Sequence, residues 1–257
     1  MNLKNKRILI TRARVQAEGF ARALSAAGAR PMYFPVIEII PPEDYAPLDF
    51  AIHSLEQYDW LIFTSVHGVE AFFKRLEALG IKSIPPGLHV AAVGSRTARF
   101  LSEHGLWTDR IPDEYIAEAL LSGFGKNIYG KRFLLPQSNL ARTALANEIR
   151  SAGGLVTEVI AYRNRLSEPD ASEINALRSG VDIVTFTSPS TVRNFMTVLE
   201  RHGFDVSNLP GDPLFACIGP TTRQAAEDAG LSGLIVSNEY TTAGLIETLN
   251  NLIYTPT

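Results

Sequence analysis

Six short segments of this chain bring hydroxyl, amide and guanidinium groups together directly after an apolar run. They are Thr11-Arg12-Ala13-Arg14, Thr64-Ser65-Val66-His67, Gly94-Ser95-Arg96-Thr97, Pro136-Gln137-Ser138-Asn139, Thr187-Ser188-Pro189-Ser190 and Gly219-Pro220-Thr221-Thr222. Each reads as a turn from a strand into a helix. Free backbone N–H groups at a helix start favour anions, and hydroxyls there add directional donors. Arg12, Arg14, Arg96, Arg142, Arg193 and Arg223 lie near these turns and could pair with carboxylates. Any one turn is explained as readily by Ser or Thr capping a helix. Six together, facing one cleft, imply a large polyanion gripped from both sides.

Other chemistries lack their residues. No Gly-x-Gly-x-x-Gly follows a strand, and no Gly-x-x-x-x-Gly-Lys-[Ser/Thr] occurs. The histidines, His53, His67, His89, His104 and His202, form no His-x-x-x-His pair. His104 and His202 each precede a glycine at a helix end, where a histidine interacts favourably with the helix C-terminus. One cysteine, Cys217, makes neither an intrachain disulfide nor a cysteine zinc site. No metal and no cofactor is expected.

The elements that must position these turns recur. Arg7-Ile8-Leu9-Ile10-Thr11 matches Arg132-Phe133-Leu134-Leu135-Pro136. Trp60 through Ser65 matches Ile183 through Ser188. Ala92-Val93-Gly94 matches Cys217-Ile218-Gly219, and Tyr115 matches Tyr240. The offsets are about 125, 123, 125 and 125 residues, which means duplicated domains rather than a solenoid. Each block is a continuous apolar run followed by a helix with 3.6-residue spacing. Phe20, Leu24 and Ala27 mark one inner face, and Leu145, Ile149 and Ala152 mark its counterpart. Gly28, Gly105, Gly153 and Gly230 close the helices. Such units predict buried parallel sheets covered by helices. Two extended, β-branched stretches fall outside the blocks, Pro35–Pro42 and Val159–Asn164. They read as linker strands able to pair with each other.

The 257 residues carry Lys+Arg 24 against Asp+Glu 27, a formal net charge of -3, with 46% hydrophobic residues. This is a globular composition, long enough for two domains. The charge balance argues against nucleic-acid binding. No apolar run approaches a membrane span or a signal-peptide core. A cytoplasmic protein is expected, and nothing demands more than a monomer.

Together, Ile10-Thr11-Arg12, Phe63-Thr64-Ser65, Val93-Gly94, Phe186-Thr187-Ser188, Ile218-Gly219-Pro220-Thr221-Thr222 and Tyr240-Thr241-Thr242-Ala243-Gly244-Leu245 resemble the uroporphyrinogen-III synthase family over essentially the whole chain. The resemblance implies an α/β fold of two similar flavodoxin-like domains, each a parallel sheet with flanking helices, joined by a two-stranded β linker. The expected division is 1–35 plus 168–257 for a discontinuous domain and 41–159 for an inserted one, with linkers 36–40 and 160–167. The first strand–helix unit would join the C-terminal half.

The resemblance further implies a cofactor-free lyase that closes hydroxymethylbilane, a linear tetrapyrrole with eight carboxylates, to uroporphyrinogen III. The last pyrrole ring is inverted and water is lost. Tyr162 matches the family's tyrosine at the return linker. A phenol is protonated at neutral pH and can donate to the departing hydroxyl, so Tyr162 is the candidate acid; an aromatic packed at a hinge is the competing reading. Candidate substrate-binding residues are Arg12, Thr64, Ser65, Ser95, Gln137, Ser138, Arg142, Thr187, Ser188, Thr221 and Thr222. One departure stands out. Gln137-Ser138 replaces the family's common Arg-Gly, with Arg142 one turn on as a substitute. Two alternatives share the architecture, a periplasmic-type receptor and a non-catalytic tetrapyrrole or polyanion binder. The lack of an export signal counts against the first. A glycosyltransferase would need a sugar-nucleotide site that the chain does not show.

Overall fold

The computed structural model describes residues 3–110, 128–141 and 143–252. Tyr115, and with it the fourth repeat pair, lies outside the described residues, as does Arg142. The chain divides into two compact units, Met1–Glu38 with Arg165–Thr257, and Ile39–Asn164. One division falls within Pro35–Pro42 and the other directly after Asn164, where the second extended stretch ends.

The first unit holds β1 (Arg7–Ile10), α1 (Arg14–Ala26), β2 (Arg30–Tyr33), α6 (Ala171–Arg178), β8 (Ile183–Phe186), α7 (Pro189–Arg201), β9 (Leu214–Cys217), α8 (Pro220–Asp228), β10 (Leu234–Val236) and α9 (Thr242–Asn251). Its sheet runs β10-β9-β8-β1-β2, and every pairing described in it is parallel. The second unit holds α2 (Ala46–His53), β4 (Trp60–Phe63), α3 (Val66–Ala78), β5 (His89–Ala92), α4 (Ser95–Glu103), β6 (Arg132–Ser138), α5 (Ala144–Ser151) and most of β7 (Leu155–Leu166). Its sheet runs β3-β7-β6-β4-β5, where β3 is Ile37–Ile40. A parallel bridge from Ala91 to Arg110 continues past β5.

Both sheets are covered on two faces, which is why their strands read as unbroken apolar runs. Alternate side chains go to opposite layers. In the first unit Leu9, Val184 and Phe186 join Phe195 and Val198 on one side. Ile8, Ile10 and Ile183 join Phe20, Leu24 and Leu245 on the other. In the second unit Leu61, Phe63 and Leu134 meet Phe72 and Leu76, while Ile62, Phe133 and Leu135 meet Ile149. The helix faces read from the sequence are buried at Phe20, Leu24, Leu145 and Ile149. Ala27 and Ala152 depart from that expectation, being half-buried and exposed. Each is its helix's C-cap, where the chain already turns toward the following glycine. Gly28, Gly105, Gly153 and Gly230 all have positive φ, between 74° and 85°, as C′ residues require.

The repeat and the units are cut differently. By the sequence match β6 corresponds to β1, β4 to β8 and β5 to β9. Each sheet therefore takes its first strands from one repeat and the rest from the other. In both, a central pair crosses between the repeats, β1 with β8 and β6 with β4; in the second sheet the edge strand β3 crosses to β7 as well.

One carboxylate ties each central pair. Asp182 accepts from the Arg7 N–H at 2.8 Å and from Lys6 Nζ at 3.3 Å. Asp59 accepts from the Arg132 N–H at 2.8 Å and from Lys131 Nζ at 2.6 Å. Burial alone would raise both carboxyls; the bonds from Lys131 and Arg132, and from Arg7 and Lys6, hold them below the ordinary carboxylate range. A carboxyl depressed in the folded state stabilises above its unfolded pKa, and that contribution is lost as pH falls through the folded value. Replacing Asp59 and Asp182 together by Asn is therefore expected to cost about 1 kcal/mol per site near pH 7 after solvent screening. It should also flatten the loss of stability below about pH 4, read from urea unfolding midpoints at a series of pH values.

Candidate functional site

The sequence candidates among the described residues stand at the carboxyl ends of the two sheets, the ends where open parallel sheets bind ligands. In the second unit β4 leaves through Thr64 into Ser65, which caps α3. Ser65 is extended, at φ -157° and ψ 154°, and its Oγ accepts from the Gly68 N–H at 3.1 Å. Position 68 needs a glycine for space. A Cβ there would sit 2.9 Å from the Pro136 carbonyl oxygen, so the first turn of α3 rests directly on β6.

Tyr162 arrives through a β-bulge. Gln137 pairs with Ile160 and Ser138 pairs with Tyr162, leaving Ala161 as the extra residue. The bulge turns Tyr162 into the helix-covered layer, where it is 8% exposed and packs in the core that includes Phe63 and Phe72. Its hydroxyl lies 3.0 Å from Ser65 Oγ. The His67 ring meets the tyrosine ring edge-on, with centroids 5.8 Å apart. Beyond the bulge, Asn139 Oδ1 accepts from the Asn164 N–H at 2.8 Å and fixes the ends of β6 and β7 together. His67 and Asn139 are not among the sequence candidates, although both stand in turns marked there.

Other second-unit candidates divide. Ser138 is buried and its Oγ accepts from the Leu140 N–H at 3.2 Å. Gln137 is buried too, and its amide donates to Glu158 Oε2 at 2.6 Å, while Arg150 donates to the other oxygen at 2.7 Å. That amide is thus bound within the protein. Ser95 is exposed in the first turn of α4, after Gly94, and Thr64 is half-buried.

In the first unit Arg12 donates to Gln16 Oε1 from Nε at 3.2 Å and from a terminal nitrogen at 3.0 Å. Thr187 and Ser188 are half-buried, and Ser188 forms a capping box with Thr191 at the start of α7. Thr222 is buried in the first turn of α8, whereas Thr221 is exposed. Tyr240, 65% exposed, lays its ring against Gly219. Two of the arginines near the turns are engaged elsewhere. Arg14 pairs with Glu173, and Arg223 donates to Glu227 at 2.7 Å. Burial raises the Glu173 carboxyl despite that pairing. Cys217 is buried, and burial pushes its thiol up to about 12, so it is no nucleophile at neutral pH. Among the described residues no group of three or more His, Cys, Asp or Glu could hold a metal ion. No helix among them is long and apolar enough to cross a membrane.

A family model described as uroporphyrinogen-III synthase HemD matches residues 18–247. The chain belongs to the uroporphyrinogen-III synthase family. It is 36% identical to a uroporphyrinogen-III synthase of Synechococcus elongatus, an alignment covering 95% of this chain and 94% of that one. It is 32% identical to a putative uroporphyrinogen-III synthase of Methanothermobacter thermautotrophicus, covering 93% and 96%. The fold is similar to solved uroporphyrinogen III synthases. The match to a mutant enzyme from Thermus thermophilus has a TM-score of 0.65 at 21% identity, over 95% of this chain and 97% of that one. The match to the Helicobacter pylori enzyme has a TM-score of 0.63 at 19% identity, over 95% and 98%. The two-unit α/β architecture is thus the architecture of the synthase family.

Gly68→Ala tests the contact beneath the cap. Alanine is the better helix former by about 1 kcal/mol, but its Cβ would press on backbone, which has little room to give. A net loss of about 1–2 kcal/mol in urea unfolding is expected, since overpacking of this kind outweighs propensity. Unchanged or raised stability would mean that α3 does not rest on β6 in this way.

Proposed function

We propose that this synthase family member closes hydroxymethylbilane to uroporphyrinogen III with Tyr162 as its general acid. The observation that carries the assignment of the acid is the Tyr162 hydroxyl held 3.0 Å from Ser65 Oγ at the carboxyl end of the second sheet. A buried phenol needs such a partner in any role; the acid reading is supported by where this one stands, at the end of the sheet where ligands bind.

The reaction asks for little more than an acid and a mould. The Tyr162 proton passes to the terminal hydroxyl of the bilane, the C–O bond breaks, and water leaves. The azafulvene cation that remains is attacked by the substituted carbon of the last pyrrole, which gives a spiro intermediate. That intermediate fragments and recloses with the ring inverted. The final carbon gives up a proton, and the phenolate takes it, so the tyrosine ends as it began. The pyrroles are themselves the nucleophiles, and no cofactor is called on. Positioning of a flexible chain for the spiro attack contributes several kcal/mol.

In this reading Arg12, Thr187, Ser188 and Thr221 in the first unit, and Thr64 and Ser95 in the second, supply side-chain donors to the eight carboxylates. Thr222, Ser138 and Ser65 are bound to backbone or buried, so they shape the turns whose N–H groups donate. Gln137 acts by holding Glu158 rather than substrate. The reading takes the protein to work as a cytoplasmic monomer, with the tetrapyrrole as its ligand and neither nucleic acid nor membrane as a partner. The net charge of -3 supports the first exclusion.

The test is turnover of hydroxymethylbilane generated in place, with the uroporphyrin isomers separated after oxidation. Predominantly isomer III is expected, and Tyr162→Phe should lower kcat by about 10²- to 10⁴-fold, the usual range for a lost general acid. Isomer I alone, at the enzyme-free rate and with competent substrate, would leave a protein that binds tetrapyrrole without turning it over.

A further inference from the structure

We propose that Ser65 is a positioning residue for the acid, its hydroxyl donating a hydrogen bond to the Tyr162 phenol oxygen as that oxygen gives up its proton. The inference rests on the reading of Tyr162 as the acid. Ser65 Oγ has one proton and two lone pairs. The Gly68 N–H occupies one lone pair at 3.1 Å. One lone pair and one proton remain, and the Tyr162 hydroxyl is 3.0 Å away, in reach of either. At rest the phenol can donate to the free lone pair. With substrate in place the phenol proton turns to the departing hydroxyl, and Ser65 then points its proton at the phenol oxygen.

The gain is concentrated at the transition state. As the proton moves to the leaving oxygen and the C–O bond breaks, negative charge grows on the phenol oxygen. The Ser65 hydrogen bond becomes charge-assisted at that moment and strengthens. The Gly68 N–H, donating into the same Oγ, polarises the serine hydroxyl in the donating sense. An interaction stronger in the transition state than in the ground state raises kcat rather than lowering KM. When the phenolate later takes a proton from the ring-closing carbon, the serine returns to its resting role. Ser65 keeps its own proton throughout.

The other repeat serves as an internal comparison. Ser188 is the counterpart of Ser65 and also caps its helix, accepting from the Thr191 N–H. Its Oγ faces Ser190 Oγ at 2.9 Å, and Thr191, at the position matching Gly68, completes a capping box. The position matching Tyr162 is Ile37. A capping serine in this fold is therefore complete without a tyrosine. Of the two caps only Ser65 bonds a tyrosine, and Gly68 stands where Thr191 closes the box on the other.

A double-mutant cycle on the full chain tests this. Ser65→Gly removes the hydroxyl while keeping a residue that serves nearly as well at an N-cap; Ser65→Asn, also a strong N-cap, is the second hydroxyl-free variant. Each is expected to lower kcat about tenfold with KM within about twofold, and Ser65→Thr to restore most of the loss. In the Tyr162→Phe background Ser65→Gly should have no further effect on kcat, because the oxygen it serves is gone. Losses that multiply in the double variant would overturn the inference, since a purely structural serine acts independently of the phenol. A raised KM at unchanged kcat would overturn it too, placing Ser65 on the substrate. If Tyr162→Phe alone keeps the wild-type kcat, the acid reading falls and the inference with it, a result distinct from either of the other two.

Discussion

Everything else in this protein depends on two central strand pairs, β1 with β8 and β6 with β4. Each joins strands from different copies of the repeat. In an isolated copy the five strands would have to close on themselves. Here each sheet is finished only by strands lent from the other copy. The pairs lie in the middle of their sheets, fully covered, with Leu9 against Val184 and Leu61 against Leu134 in register. Hydrophobic burial supplies the drive, but burial is non-directional and does not choose a partner. Asp182 and Asp59 add direction at the start of each pair, gripping the Lys-Arg step that opens the incoming strand. The same device appears twice because the duplication copied it.

Central pairing fixes where the turns fall, and local chemistry then divides them. In the second unit a bare glycine lets α3 settle onto the Pro136 carbonyl. The bulge at Ala161 swings Tyr162 toward the capping serine. In the first unit the matching helix keeps its capping box and has an isoleucine where the tyrosine would be. Two copies of one scaffold thus carry unequal chemistry. At this cap the two copies differ at positions 68 and 162, where the first unit has Thr191 and Ile37.

Much of this was legible in the sequence. The repeat, the parallel strands, the C′ glycines and the six turns follow from period, apolar runs and glycine placement, because those signals are local. Resemblance, not pattern, placed the first strand–helix unit with the C-terminal half. A buried strand's sequence says that it is covered on both faces and not which strand lies beside it. The same limit hid the continuity of β7, whose β-branched run from Val159 to Asn164 reads equally as a linker or as sheet. The bond from Gln137 to Glu158 is equally hidden, because Glu158 comes from the next strand and only register brings the two together. The junction carboxylates were in plain view as Lys6-Arg7, Lys131-Arg132, Asp59 and Asp182, yet nothing short of strand pairing shows that they meet.

Magnitudes decide what such a scaffold is for. A general acid is worth about 10²- to 10⁴-fold in rate, roughly 3–5 kcal/mol. Holding reacting groups in an attack geometry is worth up to about 7–11 kcal/mol. In the proposed reaction the harder demand is geometric, since the terminal cation must meet the substituted carbon of the last ring and not the open one beside it. One tyrosine cannot impose that choice. It must come from the turns, which hold still only as firmly as the strands beneath them. Rigid, doubly covered sheets with buried or backbone-bonded hydroxyls at their ends therefore suit this reaction better than a reactive side chain would. In the proposed mechanism the tyrosine starts the reaction, and the sheets select its product.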